Sequence, residues 1–347
     1  MNKICFGCGV KLQSTDKEKL GYVPEKKLES SKYCMRCFRM MHYGEVRLEE
    51  TPKDKKEIIN KINKDNKFVI FLVDFLNIND NTMDLYKSIK RDKILVINKC
   101  ELLPKHVKRE NIKKFIIEYY HVNGEIRIKG GNNSHGATSI LNYLEKNNIK
   151  ETYIVGMTNA GKSTLINDLI KATNTDISKI NVNNKKNTTL DFIRVKLNNG
   201  LLLIDSPGIV FDDFVSCDVV DDNIGAYSFN MKSGEILSLL DRKYYIKVDS
   251  STPITFYTNL NAKNVAKKVY KSFDDFEYSI EVLGTTDIVI KGIGFISIKN
   301  GTKVSLNIDP KYIEVRKSIF GGIYEKRVIW FPIGIYSGVC RMCYRNR

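Results

Sequence analysis

Apolar positions in this chain recur with two different periods. Residues 93–97, 125–128 and 152–155 are short runs rich in β-branched and apolar side chains, each read as a strand. Leu165, Ile166, Leu169 and Ile170 instead repeat at the spacing of one helix face, and 138–146 reads as a further helix. Residues 192–197 and 201–204 flank the turn Asn198-Asn199-Gly200, which predicts a β-hairpin. Beyond residue 218 the pattern is mixed and β-rich, with glycine turns, as in 288–298. The longest apolar run, 68–76, is interrupted by Asp74 and falls short of the roughly 20 residues a membrane-spanning helix needs, so no membrane partner is expected.

Between the strand at 152–155 and the helix after it stands Gly156-Met157-Thr158-Asn159-Ala160-Gly161-Lys162-Ser163-Thr164, a G-x-x-x-x-G-K-[ST] loop in strand–loop–helix context. Such a loop turns its backbone N–H groups toward phosphates at a helix N-terminus. Gly156, Thr158, Asn159, Ala160, Gly161 and Thr164 are therefore candidate phosphate contacts. Lys162 is placed to reach the β and γ phosphates, and Ser163 to ligate Mg²⁺.

The hairpin runs into Asp205-Ser206-Pro207-Gly208, a D-x-x-G element. There the carboxylate of Asp205 can hold the Mg²⁺ shell and the Gly208 amide can sense a γ-phosphate. Between the two motifs, 187–191 is either a linker or the polar loop that covers Mg²⁺. Thr189 is the candidate second hydroxyl ligand.

The base is specified upstream, where 93–97 ends in Asn98-Lys99-Cys100-Glu101, close to N-K-x-D. A carboxylate at the fourth position accepts both N–H donors of guanine, a pair that adenine lacks. The strand 125–128 leads to Lys129-Gly130-Gly131, where the backbone of a second guanine loop, with Gly130, is expected. These elements follow the order base loop, second base loop, phosphate loop, threonine loop, D-x-x-G, rotated relative to an ordinary G domain. Joining the old ends through 138–152 and opening new ones after D-x-x-G costs little. The expected fold class is α/β, a circularly permuted P-loop GTPase domain at 49–217, with a four-cysteine zinc finger at 1–48 and a mixed, β-rich domain at 218–347.

Cys5-x-x-Cys8 and Cys34-x-x-Cys37, separated by 25 residues, supply four thiolates as two knuckles, the spacing of a structural tetrahedral Zn²⁺ site. Cys340 and Cys343 form a third pair near the end of the sequence, either an exposed pair or half a site completed elsewhere. The first cysteine follows within a few residues of Met1, which leaves no room for a leader and points to a cytoplasmic location.

Lys and Arg number 56 against 40 Asp and Glu, a formal net charge of +16, which favours a polyanionic partner. The lysine, asparagine and isoleucine richness of the chain tempers that inference. From Lys299 to Arg347 there are ten Lys/Arg against three Asp/Glu, with Tyr312, Tyr324, Trp330, Phe331, Tyr336 and Tyr344 as stacking faces. Arg316, Lys317, Lys326 and Arg327 are the expected phosphate contacts there, unless the stretch is simply a solvated basic surface.

Taken with their order, these motifs resemble the YqeH family of circularly permuted GTPases. The matching stretches are residues 5–10, 34–39, Asn98-Lys99, 156–164, 188–191 and 205–209, and Asp287-Ile288-Val289-Ile290-Lys291-Gly292-Ile293-Gly294-Phe295 resembles the family's D-I-V-x-x-G-L-G-W. The resemblance implies a monomeric bacterial factor for assembly of the small (30S) ribosomal subunit that uses GTP/GDP, Mg²⁺ and Zn²⁺ and binds rRNA or the precursor particle. Asn159 and the Thr188-Thr189 loop further resemble GTPases that recruit K⁺, so Lys162, Asn159, Thr189 and Gly208 are the candidate catalytic set. Ile209, where many G proteins carry a water-orienting glutamine, implies slow turnover. Glu101 in place of Asp, Lys129-Gly130 in place of Ser-Ala and Asn187 in place of Gly depart from the family pattern, and the chain continues past the family's usual end near 316–317. The rival readings are a zinc-dependent RNA-binding scaffold whose G site binds nucleotide without useful turnover, and a factor for the large subunit.

Overall fold

The computed structural model describes residues 3–5, 10–15, 21–35, 55–100, 108–130, 134–175, 192–215, 225–240, 242–260, 265–268, 276–321 and 330–332. They fall into two compact units, one of 1–103 with 116–212 and one of 104–115 with 213–347. Cys8, Cys37, Glu101, Thr188, Thr189, Cys340 and Cys343 lie outside the described residues.

The first unit is built on a six-stranded sheet. Its elements run α1 Lys55–Lys64, β1 Phe68–Asp74, α2 Asp80–Ser88, β2 Lys93–Asn98, α3 Arg109–Tyr120, β3 Glu125–Ile128, α4 Ser134–Lys146, β4 Glu151–Gly156, α5 Lys162–Ala172, β5 Ile193–Lys196 and β6 Leu202–Asp205, with α3 divided between the units. The sheet order is β3-β2-β1-β4-β6-β5. All neighbours pair in parallel except β5 and β6, the antiparallel hairpin around Gly200, whose φ is +86°. A parallel sheet covered on both faces needs strands that are apolar throughout. β1 and β2 meet that need, because 69–73 and 94–97 are at most 1% exposed. Full burial of each such side chain contributes roughly 1.5–3 kcal/mol.

β1, β2 and β3 succeed one another to one side, whereas β4 returns to the other side of β1 and is followed by β6. The order therefore reverses between β1 and β4, and in open α/β sheets ligands bind outside the carboxyl ends of the strands at such a switch point. Gly156 ends β4 there, and Asp74 and Asn98 lie opposite each other at the ends of β1 and β2.

At the amino end, Cys5, Leu12, Val23 and Cys34 form a small buried cluster with Leu28 and Tyr33 against it. The Cys5 amide donates to the Val10 carbonyl at 2.8 Å.

The second unit carries two antiparallel sheets. The strands are β7 Gly225–Met231, β8 Ile236–Leu239, β9 Tyr244–Val248, β10 Thr252–Thr258, β11 Val265–Lys268, β12 Tyr278–Val282, β13 Thr286–Ile290, β14 Gly294–Ile298, β15 Thr302–Leu306, β16 Ile313–Lys317 and β17 Trp330–Pro332. One sheet has the order β16-β13-β14-β10-β7 and the other β11-β8-β9-β15-β12-β17. Buried residues of both, among them Phe256, Ile280, Ile296 and Leu306, form one core.

One sequence expectation is corrected here. Arg316 is not a surface contact for phosphate, because it is fully buried. Its Nη2 lies 3.7 Å from Asp287 Oδ2 in a pair with no exposure on either side, and the rings of Phe295 and Phe115 flank the guanidinium at 5.2 and 5.6 Å. Burial pushes the Asp287 carboxyl up from its ordinary value, while the Arg316 charge and the Ile319 amide, donating at 2.9 Å, pull the other way. Register explains the pairing, since Asp287 on β13 sits directly opposite Arg316 on β16.

The stretch 287–295 thus has a structural account in its own unit. Lys291 pairs with Asp213 at 3.4 Å, and its carbonyl accepts from the Val215 amide at 2.9 Å. Gly292, at φ +91°, has no room for a Cβ, which would stand 2.9 Å from the Val215 carbonyl oxygen. Asp213 and Val215 are in this way laid onto the β13–β14 turn.

Candidate functional site

The phosphate loop leaves β4 at Gly156, where a Cβ would come within 2.4 Å of the Leu72 carbonyl oxygen on β1. Only glycine allows the two strands to approach so closely at the point where the loop departs. Asn159 then takes the left-handed conformation at φ +61°, which asparagine tolerates better than most residues, and Gly161 follows at φ +92° as the N-cap of α5. The loop consequently delivers the first-turn amides of an eleven-residue helix to one spot, with the positive end of the helix dipole behind them.

Lys162 is 2% exposed, and its ammonium donates to the carbonyls of Met157 at 3.0 Å and Gly156 at 3.4 Å. It therefore lies within the curl of the loop. Ser163 is half-buried, Thr158 is half-buried, and Asn159 and Thr164 are exposed beside it.

The D-x-x-G element is bound to this loop through the backbone. The Ser206 amide donates to Ile154 at 3.0 Å, the Thr158 amide to Ile209 at 3.1 Å and the Ile209 amide to Gly156 at 3.2 Å. Asp205 and Gly208 are buried at the end of β6, next to the strand that carries the phosphate loop. Ile209 is fully buried, so its side chain lies in the core rather than over the loop.

The base loop reaches the same place from β2. Asn98 is 5% exposed, and its Nδ2 donates to the Ala160 carbonyl at 3.0 Å. Lys99 follows in the left-handed conformation at φ +60°, which turns the chain out of the strand. The amide of Lys129 extends β3 by donating to Ile97 at 2.8 Å, and Gly130 comes next. Lys162, Ser163, Asp205, Gly208, Asn98, Lys99 and Gly130 thus converge on the carboxyl edge of one sheet. Glu101 and Thr189 lie outside the described residues.

One buried acid at this edge carries no motif. Asp74 is 5% exposed at the end of β1, and its carboxylate accepts from the Asn77 amide at 3.0 Å and from Asn77 Nδ2 at 2.8 Å. Its sequence trace is the single acid inside an apolar run.

The donor set fits a magnesium nucleotide. The loop amides and Lys162 would hold phosphate oxygens, while the Ser163 hydroxyl and the Asp205 carboxylate are the hard oxygen donors Mg²⁺ prefers. At the amino end, the Cys34 amide donates to Cys5 Sγ at 3.2 Å, the kind of amide-to-sulfur bond that favours a thiolate ligand. Among the described residues no three metal-ligating side chains cluster, and no helix is long and apolar enough to cross a membrane. A cavity of about 560 Å³ lined by Lys67, Arg91, Lys150 and Glu151 lies at the opposite, amino edge of the sheet.

Comparison with known proteins agrees with this geometry. Residues 46–214 match the model of the RsgA GTPase family. The chain is 32% identical over 216 residues to the uncharacterized protein YqeH of Bacillus subtilis (strain 168), a match covering 60% of this chain and 59% of that protein. It is 23% identical over 194 residues to NO-associated protein 1, chloroplastic/mitochondrial, of Arabidopsis thaliana, covering 48% of this chain and 35% of that protein. It is 27% identical over 213 residues to GTPase grn1 of Schizosaccharomyces pombe, covering 56% and 42%. The chain spans about three fifths or less of the length of these curated relatives. Among solved structures, YjeQ from Thermotoga maritima matches 42% of this chain and 48% of that chain at 20% identity, with a TM-score of 0.28.

Proposed function

We propose that this chain, whose residues 46–214 match the RsgA GTPase family model, folds there as a GTPase domain in circularly permuted order and binds and hydrolyses GTP as an assembly factor for the small (30S) ribosomal subunit. The observation that carries the nucleotide half of this reading is the Asn98–Ala160 hydrogen bond at 3.0 Å, which joins a base-reading loop to a phosphate-binding loop 62 residues away. Asn98, Lys99, Glu101 and Gly130 read guanine. Gly156, Thr158, Asn159, Ala160, Gly161 and Thr164 line the phosphates, with Lys162 on the β and γ oxygens. Ser163, Thr189 and Asp205 hold Mg²⁺. Lys162 and Gly208 stabilise charge that develops on the transferred phosphoryl group.

Turnover is slow, since Ile209 is buried and offers nothing to orient an attacking water. K⁺, recruited by Asn159 and the threonine loop, supplies the missing positive charge. Cys5, Cys8, Cys34 and Cys37 hold a structural Zn²⁺ in a module at 1–48. The domain at 218–347 binds rRNA or the precursor particle, an assignment supported by the net charge of +16 and by the resemblance to YqeH-type GTPases. Because D-x-x-G is followed in the sequence by the domain at 218–347, movement of the switch at Gly208 is passed to that domain along the chain.

Single-turnover hydrolysis tests the nucleotide half. GTP should be cleaved and ATP spared, K⁺ should accelerate cleavage over Na⁺, and Asn159→Ala should erase the difference between the salts. Equal rates in the two salts would remove the potassium assignment, and equal cleavage of GTP and ATP would remove the guanine assignment.

A further inference from the structure

Lys129 occupies a loop position where a lysine is expected to reach into water, yet it is 2% exposed. β2 and β3 pair so that Ile97 faces Ile128, and the Lys129 amide continues the ladder by donating to the Ile97 carbonyl at 2.8 Å. The aliphatic stem of Lys129 packs under the first turn of α4. A Cβ on Gly136 would stand 2.9 Å from Lys129 Cγ, so the glycine leaves room for the stem. The ammonium ends 2.8 Å from Asp168 Oδ2, with the two side chains 3% and 15% exposed. Asp168 belongs to α5, the helix that Lys162 opens.

We propose that the Lys129–Asp168 pair is a positioning device for guanine selectivity, holding the start of the second base loop against the phosphate-binding helix so that the Gly130 N–H stands at the depth of a guanine O6. The proposal rests on the guanine reading above and adds the residues that set its geometry. Guanine carries an acceptor at O6 where adenine carries an amino donor, so a backbone N–H fixed at that point favours guanine and rejects adenine. Base and phosphates are the two ends of one ligand. The loop that meets the base must therefore keep its distance from the helix that holds the phosphates, and small displacements are costly. A buried ion pair suits that task better than an apolar contact, because sliding it apart leaves two poorly solvated charges.

The test is fluorescence titration of GDP and ADP against the full chain, with thermal melting measured alongside. Lys129→Met should lower GDP affinity by about tenfold while ADP affinity changes by less than about threefold, and Lys129→Arg should restore most of the selectivity. The double variant Lys129→Met/Asp168→Leu replaces the pair with apolar side chains and guards against loss of the fold. It should melt near the wild type yet show the same collapsed ratio of GDP to ADP affinity. A folded Lys129→Met or double variant with the wild-type ratio overturns the proposal, even if both affinities fall together. A wild-type protein without preference for GDP overturns the guanine reading and this proposal with it, whereas wild-type preference retained in every variant overturns this proposal alone.

Discussion

The Nδ2 of Asn98 donates to the Ala160 carbonyl at 3.0 Å, and a Cβ placed on Gly161 would stand 2.2 Å from that same nitrogen. The second glycine of the phosphate loop is therefore required twice, by its φ of +92° and by the base-loop side chain pressed against it. The loop that begins at Asn98 and the glycine-rich loop 156–164 are one assembly.

Gly161→Ala should accordingly disturb both ends of the nucleotide. We expect GDP affinity to fall by more than about tenfold, since the new methyl must displace Asn98 and strain the backbone. Asn98→Ala removes that hydrogen bond together with a side chain proposed to read guanine, and should cost at least about 0.5–1.5 kcal/mol of binding. Titration with a fluorescent GDP analogue checks both. Wild-type affinity in Gly161→Ala would show that the loop opens on binding and that this contact does not shape the site.

Arg316 and Asp287 make a second prediction, about stability. Arg316→Met strands a buried carboxylate and should destabilise the second unit by about 3–5 kcal/mol, whereas Arg316→Met/Asp287→Leu should recover most of the loss. Urea denaturation followed by tryptophan fluorescence reads the difference, Trp330 being the one tryptophan in the chain. A single variant as stable as the wild type would mean that the pair is solvated after all. Phosphate contacts must come from elsewhere, with half-buried Lys317 the remaining described candidate of the original four.

Zinc content tests the amino-terminal module. One Zn²⁺ per chain is expected after gel filtration, and a Cys34→Ser/Cys37→Ser variant should lose it. The hydrogen bond from the Cys34 amide to Cys5 Sγ brings the first cysteine of each pair together. Unchanged zinc in that variant would place the metal on other ligands.

The sequence carries those parts of the site whose chemistry is local. The loop 156–164 is legible because backbone curvature demands glycine at fixed intervals, and the hairpin at 193–205 because Asn-Asn-Gly admits a tight turn. Long-range reasons are not legible. Gly156 is glycine because of Leu72, 84 positions earlier, and Gly161 because of Asn98. β1 reads only as an apolar run, since a strand buried on both faces loses the alternation that would reveal it. α4 begins at Ser134 rather than 138 because its first turn, with Gly136, carries no apolar period. The ion pairs of Lys129 and Arg316 are not legible, because nothing in their own neighbourhood announces a partner 39 or 29 residues away.

In the proposed function the nucleotide state times the association of this protein with the small ribosomal subunit or its precursor. Sedimentation of the tagged chain with isolated 30S and 50S particles, in GTP, GDP or a non-hydrolysable GTP analogue, tests it most directly. Co-sedimentation with 30S particles is expected in GTP and in the analogue, with release in GDP, a steep fall with salt as phosphate contacts give back their counterions, and loss of the nucleotide dependence in Lys162→Ala. Equal binding in GTP and GDP would contradict the timed switch and favour a constitutive scaffold, and preference for 50S particles would contradict the choice of subunit.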